Sequence, residues 1–446
     1  MPLRPPSNLR RRSDATLKGS RDSGSRVHPP LSDNLTYLFG LEQFGIKFGL
    51  ENIRAIVQRL RHPERAYQTV HVAGTNGKGS VTAMVDAALR VAGRRSARYT
   101  SPHLIDLRER FVIDGESVSA DALDSAIGDV RREIDALRRE GVLAVQPTFF
   151  EVTTAIAFEL FRRAAVDIAV IEVGLGGRLD ATNVVSPDVT AITSIALDHE
   201  QYLGRTLRDI ALEKAGIVKP GVPVVVGPMP AEAQAAIAEV AGRQGAPMVQ
   251  ASEGVTWEGG DLRTPACNYG AVQPALRGDH QVANAVVAVR VLELLNVRPA
   301  AIVDGLAHVR WPGRLDIRRF AGGREAILDA AHNPAGAAAL ASYLETLDGD
   351  RPPLVFAAMR DKDVDGMLRA LVPQISALVV TRASTHRAAE PEALASRART
   401  IAPSLPVFAE PSPHAALDAA WRLSSRIVIA GSIFLLGDVL RDFDRT

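Results

Sequence analysis

The segment that most limits the fold is a short β-branched run followed by a glycine-rich turn and an alanine-rich stretch. Residues 67–73 read as a strand, residues 74–80 form the turn GTNGKGS, and residues 79–91 read as a helix. Glycines let several backbone N–H groups point at one anion, the helix start adds its positive dipole end, and Lys78 adds a full charge. Gly79 departs from the common loop, in which the lysine directly precedes the hydroxyl residue. Its placement between strand and helix still favours a phosphate site over a plain turn.

Length and composition indicate an ordinary globular chain with more than one core. At 446 residues the chain exceeds the usual size of a single domain, and 46% hydrophobic with 23% charged residues is typical of a folded protein. Fifty-two basic and 51 acidic side chains leave a net charge of +1, which gives no support for nucleic-acid or membrane-surface binding. A lone cysteine, Cys267, excludes an internal disulfide framework and a zinc knuckle, so we expect a cytoplasmic protein.

The first 30 residues differ from the rest. They are rich in Arg, Ser and Pro and have no apolar stretch, so they cannot serve as a secretory signal. We expect a disordered tail over residues 1–30 in preference to a basic arm that contacts polyanions. No apolar run reaches the roughly 18 to 20 residues that cross a bilayer, so no membrane partner is expected.

Alternating strand and helix signals predict an α/β fold with a P-loop-type, mostly parallel sheet domain followed by a smaller Rossmann-like α/β domain. The adjacent Pro312 and Gly313 break the pattern and indicate a hinge. We therefore predict a central domain over residues 31–312 and a C-terminal domain over residues 313–446. Beyond residues 67–73, the predicted strands are 168–172, 189–195, 222–226, 326–329, 354–358, 378–381, 407–409 and 427–430.

Six segments together carry a family resemblance. They are residues 74–80 (GTNGKGS), 99–104 (YTSPHL), 172–183 (EVGLGGRLDATN), 196–200 (ALDHE), 213–217 (EKAGI) and 329–334 (DAAHNP). In order and spacing the chain, from about residue 32 onward, resembles folylpolyglutamate synthase and dihydrofolate synthase of the Mur ligase superfamily. The resemblance implies an ATP- and Mg²⁺-dependent ligase that joins L-glutamate to a carboxylate through an acyl phosphate. Dihydropteroate and folates are the implied substrates, and a monomer is the implied state.

The implied magnesium ligands are Ser101, Glu172 and His199. Taken alone, Ser101 before a proline could shape a turn and His199 could be structural. Glu172 is harder to dismiss, because a carboxylate at the end of an apolar strand lies where ligand crevices open in parallel sheets. Lys214 reads alone as a solvated lysine near a helix end, whereas the resemblance implies a carbamylated lysine that supports a second Mg²⁺.

The nucleotide residues implied by the resemblance are Gly74, Thr75, Asn76, Gly77, Lys78, Gly79, Ser80, Asn284, Arg314 and Asp329. Asn284 shares a helix face with His280, four residues earlier, and could instead cap or pack. At the hinge, Arg314 would reach phosphates only on domain closure, or could form an interdomain salt bridge. The predicted catalytic residues are Lys78, His199, Lys214 and His332.

A flat pterin substrate needs apolar surfaces with a few polar anchors. The residues implied for it are Lys47, Phe48, Thr148, Phe149, Phe150, Glu151, Leu179, Asp180 and Ala181. Phe149 and Phe150 read equally well as core residues. His332 and Ser432 are the residues expected to handle the incoming glutamate.

Three alternatives stay open at this point. A cell-wall Mur ligase shares the loop and residues 329–334, but usually carries an N-terminal UDP domain for which residues 1–30 leave no room. A P-loop switch would need neither an amino-acid site nor a second α/β domain. Within the folate branch, the chain could extend polyglutamate tails only. The segment Thr148–Glu151 and Asp180 resemble those of bacterial bifunctional enzymes, so we predict both activities.

Overall fold

The computed structural model describes residues 32–45 and 47–443. Within these residues the strands build three sheets, of eight, three and six strands. The strands of the first sheet are β1 Gln68–Ala73, β2 Ser96–Tyr99, β3 Phe111–Ile113, β4 Glu116–Ser117, β5 Ile168–Glu172, β6 Val189–Ile192, β7 Val224–Val226 and β8 Met248–Gln250. The other strands are β9 Thr256–Glu258, β10 Asp261–Arg263, β11 Asn268–Ala271, β12 Asp316–Arg319, β13 Glu325–Leu328, β14 Leu354–Phe356, β15 Leu378–Val380, β16 Val407–Ala409 and β17 Arg426–Ala430.

Fifteen α-helices connect and cover these strands in the described ranges. They are α1 Asp33–Gly40, α2 Glu51–Arg59, α3 Lys78–Val91, α4 Ala120–Arg139, α5 Phe149–Arg163, α6 Glu200–Leu203, α7 Leu207–Ala215, α8 Ala231–Gln244, α9 Asp279–Leu294, α10 Pro299–His308, α11 Pro334–Glu345, α12 Val364–Leu371, α13 Pro391–Ile401, α14 Pro413–Leu423 and α15 Ile433–Phe443. No helix in this part of the chain is long and apolar enough to cross a membrane.

The large sheet has the order β4-β3-β2-β5-β1-β6-β7-β8. The strands β2, β5, β1, β6, β7 and β8 run parallel, and β3 and β4 add an antiparallel edge. Central strands such as β5 are buried throughout, because helices cover both faces. In the β1–β5 pairing, Val72 lies opposite Glu172, so Glu172 reaches the same sheet edge as the loop that follows β1.

The second large sheet has the order β12-β13-β17-β14-β15-β16, and all of its strands are parallel except the edge strand β12. Two hydrophobic clusters lie on its two faces, beneath α11 to α13 on one side and α14 and α15 on the other. The predicted α/β fold class, with a parallel-rich sheet followed by a second sheet, is confirmed. The hinge and the domain bounds drawn at residues 31–312 and 313–446 stay predictions.

Several predicted strands were too long. The strand expected at residues 189–195 ends at Ile192, since Thr193 and Ser194 turn their polar groups to the neighbouring glycine loop. The strand expected at 222–226 begins at Val224, and the one at 354–358 ends at Phe356. The small antiparallel sheet β9–β11 and the strands β2, β3, β4, β8 and β12 were not predicted, because each is a run of only two to four residues without strong periodicity. The tail expected at residues 1–30 lies outside the described residues.

Candidate active site

The glycine loop between β1 and α3 is held in place by the end of β6. Thr75 N donates to Ser194 O at 2.7 Å, and Asn76 N donates to Ser194 Oγ at 3.1 Å. Lys78 Nζ donates back to Gly74 O at 3.1 Å and Thr75 O at 3.2 Å. The first N–H groups of α3 have no intrahelical acceptor and face the loop. The loop is therefore a preformed anion cradle with an ammonium group at its rim.

Two loop glycines are required by close contacts. Gly77 has φ +85°, and a β-carbon there would lie 2.2 Å from Asn284 Oδ1. Gly74 has φ +148°, and its β-carbon would lie 1.9 Å from Thr193 Oγ1. Asn284 on α9 thus lies against the loop, where Gln281 Oε1 accepts a hydrogen bond from its side-chain amide at 3.1 Å. Any side chain at either glycine would push the loop out of its present shape.

The candidate metal ligands converge near this loop. Ser101 N donates to Glu172 Oε2 at 3.3 Å, so Ser101 and Glu172 lie side by side. Burial raises the pKa of Glu172 to about 7, against the opposing charge of Lys78. Burial lowers the pKa of His199 to about 4, which leaves its imidazole neutral at physiological pH. The charge of Lys78 acts on both groups, so Glu172 and His199 both lie near the lysine of the phosphate loop.

These residues fit a hard divalent cation. Ser80 Oγ is buried at the start of α3 and has no hydrogen-bond partner within the described chain. A neutral imidazole and one carboxylate leave coordination positions for phosphate oxygens and water, as Mg²⁺ prefers. Among the described residues no group of three or more His, Cys, Asp and Glu side chains is placed to hold a metal ion. A metal held by Ser101, Glu172 and His199 would need phosphate or water oxygens to complete its coordination.

Lys214 lies at the end of α7 and is only 4% exposed, so the solvated-lysine alternative is wrong. Burial, helped by the charge of Lys78, lowers the pKa of Lys214 to about 7. An amine with this pKa is about half unprotonated at pH 7. That fraction of Lys214 is in the form that reacts with CO₂.

A polar cluster joins the two large sheets at the loop. Lys362, which follows β14, places Nζ 2.5 Å from Asp198 Oδ1 and 3.4 Å from His199 Nε2. Asn333 Nδ2 donates to Asp198 Oδ2 at 3.0 Å and to Asn76 Oδ1 at 2.9 Å. Burial acts to raise the pKa of Asp198, but the positive charge of Lys362 and the neighbouring histidines hold it below its ordinary value. The cluster brings the second sheet directly onto the phosphate loop.

Sequence reasoning missed three members of this cluster. Asp198 and Asn333 lay inside the quoted motifs but received no role, and their neighbours in sequence were chosen instead. Lys362 gave no signal apart from its place after a predicted strand. His332, which was predicted, lies beside the cluster with Nε2 3.7 Å from Asp198 Oδ2. Its Nδ1 donates to Ala330 O at 2.9 Å, and burial lowers its pKa to about 4.

The remaining predicted nucleotide residues, Arg314 and Asp329, lie at and after the connection between the two large sheets. Asp329 accepts hydrogen bonds at 2.9 Å from Leu315 N and from Ala331 N. Burial raises the pKa of Asp329, while Arg314 and His280 pull it down. Arg314 lines a cavity of about 320 Å³ together with Gly79, Ser101 and Glu172. Within the described residues Arg314 forms no ion pair, so the interdomain salt bridge considered for it is not present.

The predicted pterin residues near α5 have clear local roles. Thr148 and Glu151 form a capping box at the start of α5, with Thr148 N donating to Glu151 Oε2 at 2.7 Å. The other oxygen of Glu151 is buried and has no partner in the described chain. The Phe149 ring lies 5.1 Å from the Arg110 guanidinium carbon and is half-buried. Phe150 packs on Gly174, where a β-carbon would lie 2.4 Å from Phe150 Cζ.

Asp180 lies between Leu179 and Ala181, and its carboxylate already accepts several hydrogen bonds. Leu175 N donates to Oδ2 at 2.8 Å and Thr182 N donates to Oδ1 at 3.0 Å. Its carboxylate therefore shapes the loop, besides any contact with a ligand. Burial raises its pKa.

The other predicted substrate residues lie in two separate regions, the segment after α1 and the start of α15. Lys47 is half-buried, and the exposed Phe48 ring lies 5.9 Å from that of Tyr202, which sequence reasoning did not single out. Ser432 Oγ accepts from Phe434 N at 3.2 Å and so caps α15. Gly431 N donates to Ala331 O, which brings Ser432 and His332 to the same strand ends.

A phosphate cradle, strand-end oxygen and nitrogen ligands, and a second sheet docked on the loop are the features of an ATP-dependent ligase of the Mur type. A family model described as "Mur ligase, glutamate ligase domain" matches residues 313–433. The chain is 36% identical to the dihydrofolate synthase/folylpolyglutamate synthase of Mycobacterium tuberculosis, over 97% of this chain and 99% of that protein. The chain therefore belongs to the dihydrofolate synthase/folylpolyglutamate synthase family, as its six motifs predicted.

A further relative is longer than this chain. The probable bifunctional folylpolyglutamate synthase/dihydropteroate synthase of Haloferax volcanii is 36% identical over 81% of this chain, which spans 44% of that relative's length.

Solved structures agree with the observed fold and with the predicted nucleotide and metal. The folylpolyglutamate synthase of M. tuberculosis complexed with ADP and AMPPCP has a TM-score of 0.85 and 34% identity, covering 93% of this chain and 100% of that one. Escherichia coli FolC in complex with DHPP and ADP has a TM-score of 0.83 and 29% identity, with 92% and 97% covered. The bifunctional enzyme of Yersinia pestis complexed with AMPPNP and Mn ion has a TM-score of 0.81 and 30% identity, with 92% and 97% covered. ATP and a divalent metal are thus confirmed as cofactors of this family.

Proposed function

We propose that this chain uses ATP to add L-glutamate to dihydropteroate and to the glutamate tail of tetrahydrofolate. The observation that carries the proposal is the contact of the second sheet with the phosphate loop, through Asn333 to Asn76 and Lys362 to Asp198. A nucleotide-binding switch has no need for a second α/β sheet whose strand ends meet the phosphate loop. A ligase needs it, because two substrates must be held in line while water is excluded.

The first step transfers the γ-phosphoryl group to the carboxylate of the pterin substrate. Charge on the transferred group must be neutralised, and Lys78 at the rim of the cradle and Arg314 in the adjoining cavity supply positive charge. A bound divalent cation would polarise the phosphate oxygens there, held by Ser101, Glu172 and His199. Loss of a proton from Glu172 on metal binding follows from its raised pKa.

In the second step the amine of glutamate attacks the activated carbonyl and phosphate leaves. The attacking amine must lose a proton, and the imidazole of His332, a weak base because burial lowers its pKa to about 4, leaves Nε2 free to accept it. Lys362 lies beside it and offers positive charge for a glutamate carboxylate. Ser432 lies at the same strand ends, as a cap of α15.

The pterin is expected to bind near Lys47, Phe48, Phe149 and Asp180. Phe48 and Tyr202 form an exposed aromatic pair that suits a flat ring at the entrance. Lys214 is expected to carry a carbamate that supports a second cation. We further propose a cytoplasmic monomer whose partners are its small-molecule substrates.

The deciding experiment measures phosphate release by the purified protein with MgATP. Dihydropteroate plus glutamate, and tetrahydrofolate plus glutamate, are each expected to stimulate release and to give a product longer by one glutamate in mass spectrometry. Neither pterin alone nor glutamate alone should sustain turnover. Stimulation by tetrahydrofolate but not by dihydropteroate would reduce the function to tail extension. Turnover of ATP that ignores all of these substrates would refute the ligase proposal.

A further inference from the structure

Trp311 lies directly on the phosphate loop, at the glycine that departs from the usual loop sequence. A β-carbon at Gly79 would come within 2.6 Å of Trp311 Cζ2 and 3.0 Å of Trp311 Cε2. Side chains do not tolerate contacts this short against a rigid ring in a packed interior. The unusual Gly79 is therefore explained by the indole that packs on the first turn of α3.

An arginine that contacts the indole is also tied to α3. The guanidinium carbon of Arg98 lies 5.3 Å from the centre of the Trp311 ring, and Arg98 Nη1 lies 3.0 Å from Asp86 Oδ2. Asp86 is fully buried on α3, eight residues after the start of that helix. The ring thus contacts both the first turn of α3 and an arginine anchored further along the same helix.

The chain that arrives at Trp311 is fixed to the same helix. It comes from α10, which packs so closely on α3 that a β-carbon at Gly305 would lie 2.5 Å from Ala88 Cα. Trp311 Nε1 is buried without a hydrogen-bond partner in the described chain. The indole is therefore held here by packing and by the arginine over its ring, and not by a hydrogen bond.

The chain that leaves Trp311 is fixed to the second sheet within a few residues. Gly313 O accepts from Ala330 N at 2.9 Å, and Leu315 N donates to Asp329 Oδ2 at 2.9 Å. Gly313 and Leu315 both have positive φ, +72° and +46°. The connection between the two sheets is therefore short, sharply turned and anchored at both ends, with Arg314 in its middle.

We propose that Trp311 is a positioning residue that anchors the interdomain hinge to the phosphate loop and so sets the reach of Arg314. Trp311 and Arg314 line the same cavity as Gly79 and Glu172. A ligand that orders the first turn of α3 would then also order the hinge, and closure of the hinge would strengthen binding at the loop. The inference rests on the proposed function in one respect, namely that the ligand of the loop is a nucleotide.

The experiment uses ADP as the probe and tryptophan fluorescence as the signal. The chain has three tryptophans, so the double variant Trp257→Phe/Trp421→Phe reports on Trp311 alone. Its fluorescence is expected to change saturably with ADP, with the dissociation constant that calorimetry gives. In the otherwise unchanged protein, Trp311→Ala is expected to weaken ADP binding about ten-fold. Trp311→Phe, which keeps a flat ring on Gly79, should retain most of the affinity.

Two further variants separate positioning from a general loss of packing. Combining Trp311→Ala with Arg314→Ala should weaken ADP binding no more than Arg314→Ala alone, because the tryptophan acts through the arginine. Trp421→Ala is the matched control, since Trp421 also carries a stacked arginine, with the Arg324 guanidinium carbon 5.4 Å from the ring centre. Trp421 lies on α14, which covers the second sheet, so its replacement should leave ADP binding unchanged.

The possible failures are distinguishable. If the unaltered protein binds no ADP, both the proposed function and this inference are wrong. If ADP binds but Trp311→Ala binds it as tightly as the unaltered protein, the proposed function is untouched and the inference is overturned. A folded single-tryptophan protein whose fluorescence ignores bound ADP also overturns it, and this arm does not depend on the alanine variant folding.

Discussion

Replacing Glu172 by glutamine should stabilise the protein in the absence of metal and nucleotide while abolishing its activity. Burial raises the pKa of this carboxyl from 4.5 to about 7. The folded state therefore holds the proton up to about pH 7, whereas the unfolded chain releases it near 4.5. The stability that the protonated carboxyl contributes is fully present below the pKa of the unfolded chain and is lost as pH rises through 7. At 1.36 kcal/mol per pKa unit, ionisation of Glu172 lowers the free energy of unfolding by about 3 kcal/mol at pH 8 and by less than about 1 kcal/mol at pH 5.

The assay is thermal unfolding of both proteins in EDTA, without nucleotide, at pH 5 and pH 8. For a chain of this length, about 3 kcal/mol corresponds to a rise of about 3 °C in the midpoint of Glu172→Gln at pH 8, with little difference at pH 5. Ligase activity at pH 8 should fall at least about 100-fold, because a metal ligand is lost. A variant less stable than the parent at pH 8, or a gain that is equal at both pH values, would refute the reasoning about burial.

Two other sites give predictions of the same kind. Lys214→Ala should lose activity that added bicarbonate does not restore, whereas the parent protein, depleted of CO₂ and then supplied with bicarbonate, should regain it; full activity of the variant would exclude a carbamate. Asp198→Asn leaves the buried Lys362 ammonium unpaired and should destabilise the protein by about 3 kcal/mol in thermal unfolding. Adding Lys362→Met should recover part of that loss, and an additive double variant would show that the pair is not coupled.

Much of the first sheet was predictable because its signals are local. The glycine loop at residues 74–80 lies between a β-branched run and a helix, and the structure places β1 and α3 there. Glu172 closes a fully apolar strand, so its position at the ligand edge of the sheet followed from the pattern alone. The shortened β6 could not be predicted, since its end is decided by hydrogen bonds from Ser194 to the loop more than 100 residues earlier.

The burial of individual side chains was the least predictable property of the site. Lys214 reads in sequence as a surface lysine at a helix end. Only the packing of the end of α7 against Gly177 and Arg178 shows that it is buried and has a lowered pKa. Thr148 and Glu151 were assigned to substrate through the family motif, yet their nearest partners are each other, in a capping box. A capping box is itself a sequence pattern, Thr-x-x-Glu, which could have been recognised before the structure.

The sequence by itself determined the phosphate loop, the alternation of strands and helices, and the family, because each depends on neighbouring residues or on fixed motifs. Only the tertiary structure brought Lys362 to Asp198, Asn333 to Asn76 and Trp311 onto Gly79. These partners lie more than 100 residues apart, and no local spacing specifies which strand ends meet when two sheets dock. The glycine that breaks the usual loop rule shows the difference: the sequence revealed that it is unusual, and the packing of an indole from the hinge supplied the reason.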